Sequence, residues 1–399
     1  MAEVHEFGTV VLLVAAGFAL AVFTSRLSER ISIPGPAIFL LAAAIASDVF
    51  PGLADELSIR EVERIGVVAL IVILFDGGAR IGLRRLRVAL IPVLSLGVLG
   101  TFATAGLVTL AAHGLLGFGW VTAGLIGAAI APTDPAVMFS VLGRREVGGR
   151  TGTILEAESG ANDPVGIALM IGMIEFATHD DASFWTVVRE FSLEISVGLV
   201  VGIAGAYALL LLMRHVRLPN AGLYPVRTLA AAGVIYGAAS ILHGSGFLAV
   251  FVAGILTGDE RTPHKEDVER FMTSLASLAE ITVFVALGLT IDLTSLGART
   301  WVDGFVLVLL LALVARPLVV GLLLVPARLR VGERLFVMWS GLKGAVPIFL
   351  AAFAILAQVD DAARIYGIVF VVVLFSVLVQ GSSVPIVARA CGVPIREAE

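Results

Sequence analysis

The chain has 399 residues, 58% hydrophobic and 15% charged, with a net charge of −5 and a mean hydropathy of +1.01. A soluble domain has roughly 45–50% apolar and ~25% charged residues, so this chain could not cover its own surface in water and a soluble enzyme is excluded. The acidic balance and the lack of a basic stripe exclude a nucleic-acid binder. Apolar runs of ~20 residues, rather than ~10 with alternation, exclude a membrane barrel. What remains is an all-α polytopic membrane protein.

In chain order, thirteen apolar segments are long enough to cross a bilayer at about 20 residues each. They fall at 7–24, 34–50, 63–79, 88–112, 117–142, 152–177, 186–213, 226–242, 246–259, 271–290, 302–325, 335–357 and 365–388. The first is expected to be a permanent span. Glu3, His5 and Glu6 precede it with no Lys or Arg, whereas a cleaved leader needs a basic start. The single cysteine, Cys391, excludes an intrachain disulfide. The loops are short and little follows the last span, so residues 1–399 are expected to form one membrane domain with no soluble C-terminal domain.

Orientation follows from the 27 basic residues. Twenty fall in alternate loops, including Arg80, Arg84, Arg85, Arg87, Arg214 and Arg217; five (Arg60, Arg64, Arg189, Arg299, Arg364) fall in the opposite loops. Arg316 and Lys343 lie inside spans. By the positive-inside rule the N-terminus is outside and the C-terminus cytoplasmic.

Two spans carry helix breakers at their centres. The fifth reads Ala131-Pro132-Thr133-Asp134-Pro135, and the twelfth Gly341-Leu342-Lys343-Gly344-Ala345-Val346-Pro347. Their offset is seven spans, an odd number, so two repeats would have opposite orientation. Paired broken helices in inverted halves point to a transporter binding site. The first repeat would cover about 7–177, a linking helix 186–213, and the second repeat 226–389.

An ionisable group at the bilayer centre costs at least ~2.5–3.5 kcal/mol on insertion scales. Asp134, in the broken fifth span, lies where unwinding would free carbonyls, hard donors suited to an alkali cation. Asp163 shares a helix face with Ser159 at i, i+4, and Glu158 shares the adjacent face with Asn162. One face could offer an ion a carboxylate and a hydroxyl; its neighbour offers a second carboxylate and an amide to hold it. Burial disfavours a charged carboxylate, so such a group holds a proton or a metal ion but not both. That competition is sufficient for coupled exchange, with no covalent step and no cofactor. Lys343 is expected either to neutralise the crossing of the fifth and twelfth spans or to pair with Glu158. Asp76 could line an ion funnel or cap a turn. Glu280 is read as an interior polar contact, and Arg316 as the partner of an acid or a snorkelling side chain.

These stretches, together with Ile33-Pro34-Gly35-Pro36 and Leu74-Phe75-Asp76-Gly77-Gly78, resemble the monovalent cation:proton antiporter-1 family, in particular its bacterial NhaP-type members. The resemblance covers essentially the whole chain. It implies an NhaA-like fold of thirteen helices with inverted repeats, and a homodimer in the inner membrane. It places Thr133, Asp134, Ser159 and Asp163 at a Na+ or K+ ion, with Asn162, Glu158 and Lys343 supporting them. It also implies electroneutral exchange, because Asn162-Asp163 stands where electrogenic relatives have two aspartates. The family usually has arginine at the position of Lys343, paired with the glutamate matching Glu158; a lysine there is a feature of the electrogenic relatives. An organic-anion symporter of the same general architecture is the competing expectation. An intramembrane protease would need a Gly-x-Ser-Gly or Gly-x-Gly-Asp motif, which the chain lacks.

Overall fold

The computed structural model describes residues 17, 19, 33–50, 57–142, 145–179 and 184–397. All but a few of these residues lie in or between helices. The first expected span, 7–24, lies outside the described residues apart from Gly17 and Ala19, which are helical.

Helix α1 (Gly35–Val49) starts at a proline. Helix α2 (Ile59–Leu94) opens on a capping box, in which the Ser58 hydroxyl accepts from the Glu61 amide and the Glu61 carboxylate accepts from the Ser58 amide. After a π-helical stretch at Ser95–Gly100 comes α3 (Thr101–Leu116). Together these make 58 residues of apolar helix, more than twice what one crossing needs. The break is at Gly82, whose φ of 63° and ψ of 164° only glycine readily adopts. The Asp259 carboxylate packs against it and accepts from the Arg84 amide at 2.6 Å.

Helices α4 (Trp120–Ile130) and α5 (Pro135–Leu142) are separated by a non-helical stretch at 131–134. Helix α6 (Gly149–Thr178) runs unbroken through Pro164. It is followed by α7 (Phe184–His215), α8 (Leu223–Ile241), α9 (Gly246–Gly258) and α10 (Lys265–Leu289). Helices α11 (Ala298–Leu310) and α12 (Arg316–Leu323) flank a second π-helical stretch. Helices α13 (Val331–Trp339) and α14 (Ala345–Leu356) flank a non-helical stretch at 341–344. Helices α15 (Ala362–Phe375) and α16 (Ser382–Ala390) flank a third π-helical stretch.

Each expected span from the second to the thirteenth therefore coincides with helix. Helix α10 begins six residues before its span was expected to, because Lys265 pairs with Glu269 and Arg270 with Glu266 across one turn. Among the described residues, five segments are long and apolar enough to cross a membrane, and four shorter apolar helices accompany them. A two-stranded antiparallel sheet, not anticipated from sequence, joins β1 (Arg145–Val147) to β2 (Ile395–Glu397). It ties the chain end to the turn between α5 and α6.

One large apolar core surrounds α4, α6, α14 and α15. Helix α9 packs most extensively on α2. The contact is backbone to backbone: a Cβ on Gly254 would strike the Phe75 carbonyl. Small residues permit such close packing where lipid supplies no hydrophobic drive between helices.

Candidate functional site

The two non-helical stretches meet. The Asp134 amide donates to the Leu342 carbonyl at 2.8 Å. Each stretch frees backbone groups that a helix would satisfy internally, and here the other stretch supplies part of the missing partners. Lys343, fully buried, donates from Nζ to the carbonyls of Ala131 (2.8 Å) and Pro132 (2.7 Å). Its own amide donates to the Ser376 hydroxyl at 3.0 Å, and that hydroxyl donates to Gln380 Oε1 at 2.8 Å. The ammonium thus sits on the exposed carbonyl end of α4, where a cation is favoured. Of the two partners expected for Lys343, its side chain contacts the carbonyls of the broken fifth span, while Glu158 is taken by Arg316.

Gly344 is needed for close approach, since a Cβ there would collide with the Asp134 carboxylate. Gly341 does the same for Arg316.

Glu158 is not paired with Lys343, and the Asn162 amide does not hold it. Both of those expectations are corrected. Its carboxylate receives Arg316 in a two-pronged contact, Nη1 to Oε1 at 2.7 Å and Nη2 to Oε2 at 3.2 Å. Both side chains are buried. The planar guanidinium matches a carboxylate in this geometry, as a lysine cannot. Arg316 Nη2 also donates to the Val337 carbonyl. Sequence reasoning could tell that Arg316 needed an acid; it could not tell which one, because the pair is 158 residues apart.

Asn162 instead holds the broken fifth span. Its Nδ2 donates to Thr133 Oγ1 at 2.8 Å, and its Oδ1 accepts from the Thr133 amide at 3.3 Å. The hydroxyls of Thr133 and Ser159 are 3.2 Å apart and bonded to each other. Thr133, Ser159, Asn162 and Asp163 are all buried, and Asp134 is partly so. Asp163 lies on the same face of α6 as Ser159. Its Oδ1 is sealed from solvent and has no hydrogen-bond partner among the described residues. The charges of Asp134 and Lys343 both act on it.

Of the expected site residues, Thr133, Asp134, Ser159, Asn162, Asp163 and Lys343 thus gather at one crossing, with Glu158 behind them. Asp76 lies apart from this group, on α2. It is buried, paired with Arg80 at 2.7 Å, and accepts from the Thr273 hydroxyl at 3.1 Å. Helix α2 continues past it, so it caps no turn. The groups sequence reasoning missed are Ser376 and Gln380, which fasten Lys343, and Thr273. A hydroxyl in an apolar span carries no signal of its own.

Such an assembly of apolar helices, unwound stretches and buried charge defines a multi-pass helical membrane protein. Residues 16–390 match the family model described as "Sodium/hydrogen exchanger, transmembrane". The chain belongs to that family. It is 34% identical over 382 residues to "K(+)/H(+) antiporter NhaP2" of Shewanella sp. (strain ANA-3), an alignment covering 94% of this chain and 66% of that protein. It is equally similar, 34% over 381 residues, to "K(+)/H(+) antiporter NhaP" of Alkalimonas amylolytica, covering 95% and 66% respectively. The chain therefore spans just under two thirds of the length of these relatives. Among solved structures, that of the sodium proton antiporter MjNhaP1 from Methanocaldococcus jannaschii at pH 8 has the same fold. Its TM-score is 0.82 at 24% identity, over 94% of this chain and 100% of that one.

Proposed function

We propose that this protein is a secondary transporter that exchanges a monovalent alkali cation, Na+, K+ or Li+, for protons. Exchange is one-for-one and electroneutral, by alternating access, and needs no cofactor. The observation that carries this reading is the sealed carboxylate oxygen of Asp163, without a partner among the described residues, on the helix whose Ser159 and Asn162 bond Thr133 at the crossing of two unwound stretches. Two neighbouring carboxylates repel when both are charged, and a proton or a cation relieves the repulsion. Each excludes the other, so the site carries one or the other across. Asp163, Asp134, Thr133 and Ser159 would hold the cation. Asn162 fixes the Thr133 backbone, Lys343 neutralises the crossing, and the Arg316–Glu158 pair anchors α6. Asp76 stands at the funnel. Names of the relatives support the exchange reading, and nothing observed favours an organic-anion symporter.

The same reading places thirteen spans in an NhaA-like, multi-pass arrangement in the inner membrane, N-terminus outside and C-terminus cytoplasmic, as a homodimer. Its inverted repeats are supported by a local coincidence. Two of the pairs related by the seven-span offset share an irregularity, with π-helical stretches at Ser95–Gly100 and Leu311–Ala315 and unwinding at 131–134 and 341–344, whereas the π-helical stretch at Ser376–Gly381 has no counterpart in α6.

The test is a proteoliposome with an acidic interior and a pH-sensitive dye. External Na+, K+ or Li+ should dissipate the gradient and choline should not, while Asp163→Asn should abolish the response. Wild-type rates from Asp163→Asn would sink the mechanism.

A further inference from the structure

Outside the central crossing, one carboxylate oxygen among the described residues is sealed from solvent without a hydrogen-bond partner. Glu280 lies in the middle of α10, which packs on α1, α2 and α14. Its Oε1 is sealed from solvent and has no hydrogen-bond partner among the described residues. A structural glutamate in a membrane span would be paired, because a buried charge without a partner is costly. Arg80 cannot serve, since it is already bonded to Asp76 at 2.7 Å.

Position supplies the reason. Thr273 and Glu280 are seven residues apart on α10, two turns along the same face and about 10 Å along the axis. Thr273 donates to Asp76, which marks the funnel in the exchange reading. At the other end, α10 packs on α14, which begins just beyond Gly344, and Gly344 lies against the Asp134 carboxylate. Phe284, one turn beyond Glu280, is fully buried, so the polar lane on this face stops at the glutamate. Glu280 therefore stands on a helix that touches Asp76 through Thr273 and packs on α14, the helix that follows the crossing at Asp134.

We propose that Glu280 is a waypoint for the transported cation, a carboxylate that receives the partly dehydrated alkali ion between the funnel at Asp76 and the Asp134–Asp163 centre. This rests on the exchange reading above. A hard carboxylate oxygen replaces lost water ligands of such an ion, so the group contributes to cation capture and leaves the central exchange step to the aspartates.

The experiment measures cation-driven proton flux in proteoliposomes across Na+, K+ and Li+ concentrations, for wild type, Glu280→Gln, Glu280→Asp and Asp163→Asn. Glutamine keeps the size and removes the charge. It should raise KM for the transported cation roughly five- to tenfold, with flux at saturating cation nearly unchanged, and aspartate should restore most of the affinity. A wild-type KM in Glu280→Gln would overturn the inference. So would a loss of maximal flux at unchanged KM, the mark of a merely structural residue. Wild type without any cation-driven flux would sink the exchange reading and this inference with it; an active wild type with an unaffected Glu280→Gln sinks the inference alone.

Discussion

Two buried basic side chains divide the work at the centre of this protein by their shape. Arg316 offers a planar fork and takes the Glu158 carboxylate with two contacts. Lys343 offers a point charge and takes two carbonyls converging from the unwound fifth span. Removing one partner of a buried pair leaves an uncompensated charge, which typically costs about 3–5 kcal/mol, whereas replacing both by uncharged groups of similar volume is often near neutral. Arg316→Met should therefore lower the thermal unfolding temperature in detergent strongly, and Arg316→Met combined with Glu158→Gln should recover most of it. Equal melting of the single variant and wild type would show that the pair contributes no stability. At this scale the sequence was informative about which residues mattered, because every intramembrane charge is expensive. It was silent about partners: the acid of Arg316 lies 158 residues away, and the sequence left two alternatives open for Lys343.

Among elements, the breaks were legible and their consequences were not. Proline on both sides of Asp134 and glycine on both sides of Lys343 announced two interruptions, and residues 131–134 and 341–344 are non-helical. That the two stretches hydrogen-bond to each other, Asp134 to Leu342, is a tertiary fact. The turn within Ile59–Leu94 is similar. Gly82 can adopt its φ of 63° because it lacks a Cβ, and the Asp259 carboxylate fills the space a Cβ would need. Gly82→Ala should cost at least about 1–3 kcal/mol from backbone strain, read as a lower melting temperature, while Gly114→Ala, where nothing lies within 4 Å, should not. In the turn after α10, Asp292 accepts from the Thr294 hydroxyl and from the amides of Ser295 and Thr294, which hold its carboxyl below the usual carboxylate range. A depressed value means the contribution is present above the ordinary carboxylate pKa and lost as pH falls through the lowered one. Amide protection factors at 294–295, taken relative to the intrinsic exchange rate at each pH, should thus hold at neutral pH and fall only in acid; protection unchanged in Asp292→Asn at neutral pH would contradict this.

For the whole molecule, the hydrophobic pattern and the placement of 20 of 27 basic residues in alternate loops set an expectation of sidedness. It can be checked without any transport assay. In a Cys391→Ser background, Arg217→Cys places one thiol at an exposed turn after α7. A membrane-impermeant maleimide should label it in inside-out vesicles and not in intact cells. Labelling of intact cells would invert the proposed topology.

By itself, the sequence determined that this is a helical membrane protein, where twelve of the helical regions lie, which two are interrupted, and which buried charges needed explanation. It could do so because lipid makes each of these a local matter: a run of apolar residues, a proline, a charge in the wrong solvent. Tertiary structure alone decided that Lys343 caps carbonyls and Arg316 holds Glu158. It also decided that Asn162 braces Thr133, and that Asp163 and Glu280 each keep a sealed oxygen with no partner among the described residues. Those outcomes depend on which distant helices touch. Side-chain pairing across such contacts is set by distances of a few ångströms in space, to which positions along the chain give no direct guide.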